Sequence, residues 1–117
     1  MSIEIKNTAV FQEILSSIYH PKLISMLCWI IDTAGIVYLT SGYRLGDTGV
    51  HGTIPCRGMD IRSRIYVSPR ALCVRINAIW KYDPDRRPEK RCALIHGMSG
   101  NKHIHLQVHP KTICLGA

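Results

Sequence analysis

The stretch His103-Ile104-His105-Leu106-Gln107-Val108-His109 alternates polar and apolar side chains without a break. Successive side chains of an extended chain point to opposite faces. The alternation therefore predicts a half-buried strand over 103–109. It gives Ile104, Leu106 and Val108 to a core, and His103, His105, Gln107 and His109 to the outer face. Pro110 ends the run. Neighbours on one face stand about 7 Å apart, so two imidazoles can aim at one ion or substrate if a third group comes from elsewhere.

The rest of the chain is read outward from that strand. Arg91 to His96 is a second strand, joined to the first by a turn at Gly97 to Asn101. Ser68-Pro69 reads as an N-cap followed by proline at the first helical position. The helix it opens runs to about Lys81, with Leu72, Val74, Ile76 and Ile79 inward, and Asp83-Pro84-Asp85 breaks it. Residues 83–91 form a charged loop. Met59 to Ser63 and Ile36 to Thr40 are short strands, and Ile65 to Val67 extends the former or starts a connection. Residues 8–19 carry apolar side chains at helical spacing (Val10, Phe11, Ile14, Leu15, Ile18). Pro21 opens another helix that ends near Gly35, with Leu23, Ile24, Leu27, Ile30 and Ile31 as its buried stripe and Trp29 in the core. The order helix, helix, strand, loop, strand, helix, strand, strand implies an α+β domain with a small, mainly antiparallel sheet covered by helices on one side.

At 117 residues the chain has room for one domain, 1–117, and one modest core. Hydrophobic residues at 46% and charged residues at 20% exclude a disordered or fibrous chain. The five cysteines are odd in number and contain no C-x-x-C, so they read as reduced, mostly buried thiols rather than a disulfide frame or a cysteine metal knuckle. That reading points to synthesis in the cytoplasm. Met1 to Lys6 lacks the pattern of a signal peptide. The longest apolar run, Leu23 to Ile31, is far below the roughly 20 residues needed to span a bilayer. No membrane partner is expected.

Fifteen Lys and Arg against eight Asp and Glu give a formal charge of +7. A basic surface attracts polyanions, either nucleic acid or a bacterial cell wall. The basic residues are dispersed, which speaks for a solvated surface.

The segment 41–58 is a long loop rich in glycine (Gly42, Gly46, Gly49, Gly52, Gly58), and loops of that length in a small domain are usually functional. It carries His51, and Asp60 follows it. Imidazole nitrogen and carboxylate oxygen are good zinc ligands, and three protein ligands with an open fourth position make a catalytic zinc site. Spacing alone leaves ordinary surface and hydrogen-bonding roles open for these residues. His20 and His96 read as structural, and Trp80 and Tyr82 as core or as the floor of a cleft.

The ordered set Ser41-Gly42-Tyr43-Arg44, His51, Cys56-Arg57-Gly58-Met59-Asp60 and His103-Ile104-His105 resembles the motifs of the M15-type zinc D,D-peptidases, whose fold is shared with Hedgehog signalling domains. That group includes D-alanyl-D-alanine carboxypeptidases and phage endolysins. The similarity covers roughly Pro21 to Pro110 and is nearest to small phage and prophage proteins of the group. The resemblance implies Zn2+ held by His51, Asp60 and His105. It implies that Arg44 binds a substrate carboxylate or steadies an oxyanion, where the plain alternative is a structural salt bridge. It implies that His103 sits beside the metal. Ser41 would bond within the site or serve a turn. Gln107 and His109 would line the cleft or end the strand.

Two departures from the family pattern stand out. The interval from His51 to Asp60 is longer than usual, with Ile54-Pro55 as the extra residues. The acidic residue that the enzymes place shortly before the last His is replaced by Lys102, and no Asp or Glu follows Lys90. Glu89, Asp85 or Asp83 from the charged loop, or His103 itself, would have to act as base.

Three functions are therefore expected, in this order. The first is a zinc-dependent metallopeptidase, a hydrolase of peptidoglycan peptides that reaches the wall by a phage-type lysis route. The second is a non-catalytic zinc or cell-wall binding module of the same fold, such as a phage accessory protein. The third is a basic nucleic-acid-binding protein, for which only the net charge speaks.

Overall fold

The computed structural model describes residues 1–98 and 100–116. Strand β1 (Ser2–Ile5) leads into helices α1 (Thr8–Leu15) and α2 (Pro21–Ala34), then strand β2 (Ile36–Ser41). After the long loop come β3 (Gly58–Arg62), α3 (Pro69–Ile79) and the two-residue β4 (Trp80–Lys81). Strands β5 (Ala93–His96), β6 (His103–Gln107) and β7 (Ile113–Cys114) complete the order. The fold is α+β, as expected. A five-stranded sheet in the order β1-β2-β3-β6-β5 is antiparallel except at the β1–β2 pair, and β4 and β7 form a separate ribbon.

One face of the sheet makes the core. Val37, Leu39, Met59, Ile61, Ile104 and Leu106 meet Leu23, Met26 and Ile30 of α2 and Leu72, Cys73 and Ile76 of α3. Ile104, Leu106 and Val108 are fully buried, as expected, but His105 and Gln107 on the other face are buried as well, so the strand is covered on both faces rather than half-buried. Both capping readings also hold. Ser68 accepts the Ala71 amide ahead of α3, and Pro21 opens α2 behind His20, whose ring accepts the Lys22 amide.

Several expectations are corrected. The first helix stops at Leu15 rather than near residue 19, because residues 18–20 pair with Cys56: the Cys56 amide donates to the Ile18 carbonyl and the His20 amide to the Cys56 carbonyl. Phe11, Leu15 and Ile18 are consequently 47, 68 and 73% exposed, and Val10 is the residue of α1 that is buried. α3 ends at Ile79 because Trp80 and Lys81 pair with Cys114 and Ile113. Cys73, not Val74, faces its core. Residues 65–67 form no strand, and Tyr66 instead donates its hydroxyl to the Ile36 carbonyl. Trp80 and Tyr82 belong to the core. β1 has no counterpart in the sequence reading.

All five cysteines are free, and Cys56, Cys73 and Cys92 are buried. Burial pushes the Cys73 and Cys92 thiols up to about 11 and about 12, as expected of inert core thiols. Among the described residues no helix is long and apolar enough to cross a membrane.

Candidate metal centre

The sheet face opposite the helices carries the polar residues of the central strands. β3 and β6 pair with Asp60 opposite His105 and Arg62 opposite His103. Directly opposed residues on one face have Cβ atoms about 4.5–5.5 Å apart, so the register alone brings a carboxylate to an imidazole. His105 Nδ1 lies 3.0 Å from Asp60 Oδ1.

The third member comes from the long loop. His51 sits in a single 3-10 turn, Val50–Gly52, and its Nε2 is 3.2 Å from the same Asp60 Oδ1. The loop is pinned there by its own backbone: the Arg44 amide donates to the His51 carbonyl and the Arg57 amide to the Val50 carbonyl. Two glycines allow the close approach. A Cβ on Gly52 would overlap the Asp47 carbonyl, and one on Gly58 would stand 2.5 Å from Val50 Cγ2.

His51, Asp60 and His105 are 4, 6 and 8% exposed, and their ligand atoms lie within 4.8 Å of one another. They are close enough to hold a metal ion. The outer nitrogens decide what the inner ones can do. His51 Nδ1 is 2.8 Å from the Gly42 carbonyl, which can only accept, so Nδ1 carries the proton. Gln107 gives its amide nitrogen to the Arg91 carbonyl at 2.7 Å, which leaves its oxygen 3.2 Å from His105 Nε2. That ring too is protonated on the outside. In neutral form both rings therefore present bare lone pairs to a carboxylate oxygen. Only a cation between them relieves this, either protons on both rings or a metal ion.

Outer acceptors that fix the tautomer are the usual support of metal-ligating histidines. The size also fits. Ligand atoms at 2.0–2.2 Å from a tetrahedral ion stand roughly 3.3–3.5 Å apart, so separations of 3.0 and 3.2 Å need only a few tenths of an ångström of opening.

The electrostatics agree with a site built for positive charge. Burial pulls the His51 pKa down, but the hydrogen bond and charge of Asp60 outweigh it and the net shift is upward. Burial would raise the Asp60 pKa, yet the bonds from His105 and His51 hold it well below the ordinary carboxylate range.

His103 lies beside this group, with Nε2 3.7 Å from Asp60 Oδ2 and about a third of its side chain exposed. Arg44 lines the same cleft and is paired to Asp47 at 3.6 Å, so the salt-bridge reading of Arg44 is realised without removing it from the site. Ser41 Oγ bonds to Glu13 Oε1 at 3.3 Å. Gln107 supports His105. His109 is the outlier of its set. β6 ends at Gln107, and the His109 ring packs on Tyr82 at 5.5 Å, away from the cluster.

Sequence reasoning missed His96 and Asp47. His96 sits opposite His103 on β5, and its ring stacks on His105 at 5.1 Å and 6°. Burial, then the charges of His105 and His103, lower its pKa. The signal was present, since a turn at 97–101 folds 96 back onto 103. Asp47 is a cleft-lining carboxylate on the His51 loop. Of the charged-loop acids, Glu89 lines a different depression with Asn77 and Lys81, and Asp83 caps the amide of Asp85.

Compared with known proteins, the chain matches no family model, no curated protein and no solved structure.

Proposed function

We propose that this protein is a zinc-dependent peptidase that hydrolyses peptidoglycan peptides, in the manner of the M15-type enzymes its motifs resemble. The observation that carries the reading is the convergence of two imidazole nitrogens and one carboxylate oxygen on a buried point, with Arg44 and His103 on the rim of the same cleft. Two nitrogen donors and one oxygen donor suit zinc and leave a position open. When bound, zinc supplies Lewis acidity toward an amide carbonyl and lowers the pKa of water.

The chain's own groups do the remaining work. Arg44, steadied by Asp47, offers a planar pair of donors to a substrate carboxylate or a developing oxyanion. His103 is the proton acceptor: it lines the cleft, it is open to solvent on one side, and Asp60 stands 3.7 Å from its Nε2 to stabilise the imidazolium. Asp47 is the other candidate, but both its oxygens are engaged, Oδ1 by the Gly49 amide at 2.6 Å and Oδ2 by Arg44. The net charge of +7 favours an anionic wall. In an endolysin-like role for a phage or prophage, such a protein would pass from cytoplasm to wall at lysis.

A second reading, a non-catalytic zinc or wall-binding module, is favoured by one observation. Besides Asp60, the only carboxylate lining the cleft among the described residues is Asp47, and it is engaged.

The test is metal analysis of untagged protein, followed by incubation with purified peptidoglycan and an assay for new amino groups. One zinc per chain with amino-group release is expected. Zinc without release anywhere between about pH 5 and 9 would transfer the assignment to the second reading, and absence of zinc would remove both.

A further inference from the structure

Beside the metal centre runs a wider groove of about 730 Å³ that shares Arg44, Asp60 and His103 with it. Its remaining charged walls are Lys6 at the end of β1, Arg62 and Arg64 at and beyond the end of β3, Lys102 just before β6, and Glu13 of α1. The balance of paired and unpaired charge is uneven. Glu13 is occupied by the Gly42 amide and Ser41, and Asp60 by His51 and His105. Among the described residues Lys6, Arg62, Arg64 and Lys102 have no carboxylate partner. Arg62 lies over the Tyr38 ring at 4.1 Å, which holds its guanidinium in place.

We infer that this groove is a docking track for a polyol-phosphate chain, a flexible polymer with one phosphodiester charge per repeat and hydroxyls between. Four unpaired cations exceed what the carboxylate of one peptide end requires. Sharing one groove, they suit a strand that carries several single charges, and guanidinium pairs well with phosphate oxygens. Thr40 and Asn101 supply hydrogen-bonding groups for the spacers, while the Ser41 and Ser63 hydroxyls are given to Glu13 and the Lys102 carbonyl. A nucleic acid is the poorer fit. Among the described residues no Phe, Tyr or Trp lines the groove, so bases would find no aromatic platform, and stacking supplies much of single-strand affinity.

The inference goes beyond the peptidase reading and is measured without turnover, so either can fail alone. End-labelled oligo(glycerol phosphate) is titrated with the full chain by fluorescence anisotropy at several salt concentrations, with and without added zinc. Oligo-dT and poly-L-glutamate of equal charge serve as comparison probes. Binding of the polyol phosphate is expected to weaken with salt at a log–log slope of about −2 to −3, as for three or four neutralised phosphates. Arg64→Glu and Lys102→Glu, both at exposed positions, should each flatten the slope by about one. Arg64→Lys should retain it. Arg75→Glu, an equal charge change on exposed α3 surface, should leave binding unchanged. Equal loss in Arg75→Glu, equal affinity for polyglutamate, or no binding at low salt would overturn the proposal. Tighter binding of oligo-dT would overturn it in favour of a nucleic-acid track.

Discussion

Replacing Gln107 by alanine tests the tautomer argument directly. In the native chain the Gln107 oxygen accepts from His105 Nε2 at 3.2 Å, and its own nitrogen is held by the Arg91 carbonyl, so the acceptor cannot turn away. Truncation removes the group that keeps the proton on the outer nitrogen of a ring that is 8% exposed. The ring is then free to carry its proton on Nδ1, facing Asp60, where a metal must displace it. Loss of such an outer partner typically weakens metal binding by roughly 10- to 100-fold, or about 1.4–2.8 kcal/mol. Zinc affinity is measured by competition with a chromophoric chelator, using untagged protein whose circular dichroism confirms a native fold. Gln107→Glu keeps an acceptor for His105 but sets its second oxygen against the Arg91 carbonyl, so it should restore only part of the affinity lost in Gln107→Ala. Wild-type affinity in Gln107→Ala would refute the reasoning.

Asp60→Asn should abolish stoichiometric zinc binding, because it removes the anion that both inner nitrogens face; full retention by metal analysis would show the site to be misplaced. For the metal-free protein, His51 is raised above its ordinary 6.5, so its contribution to stability is complete below that pH and fades as pH rises through the raised value; Asp60 is depressed below 3.8, so its contribution is complete above 3.8 and fades as pH falls through the depressed value. Thermal melts of metal-free protein should therefore show this cluster's contribution at its greatest between pH 3.8 and 6.5, with the rise in Tm on adding zinc growing above that window as protons cease to compete. Ile104→Ala, in the fully buried row of β6, should cost about 2–5 kcal/mol in urea unfolding, whereas Val74→Ala on exposed α3 should stay within about 0.5 kcal/mol.

What could be read in advance followed physical regularity. Strand β6 was legible because a period of two over seven residues has one simple explanation, and α2 and α3 because proline and the capping residues mark their starts. Asp60 and His105 were legible as a pair only through motif order. Their contact depends on the β3–β6 register, and one strand's alternation says nothing about the register of another. β1 was too short to carry a pattern, and its parallel pairing with β2 is a tertiary fact. Residues 16–19 have good helical spacing, but hydrogen bonds to Cys56 compete for them. Asp47 is marked by no spacing relative to His105 and does not belong to the charged loop. It lies far from His105 in sequence and comes beside it only when the loop closes onto the sheet. His109 failed for the reverse reason, since the alternation continues past the point where the strand pairing stops.

β6 has one further consequence. Its odd-numbered side chains build the cluster and its even-numbered ones fill the interior, while β3 and β5 flank it on both sides. A strand held in this way has no edge from which to fray. His105 and Gln107 cannot be released by a local opening that spares the rest, because the same movement would pull Ile104 and Leu106 out of the interior. Heat should therefore disable the cluster and dissolve the globule in one cooperative step, with amide exchange in β6 among the slowest in the chain.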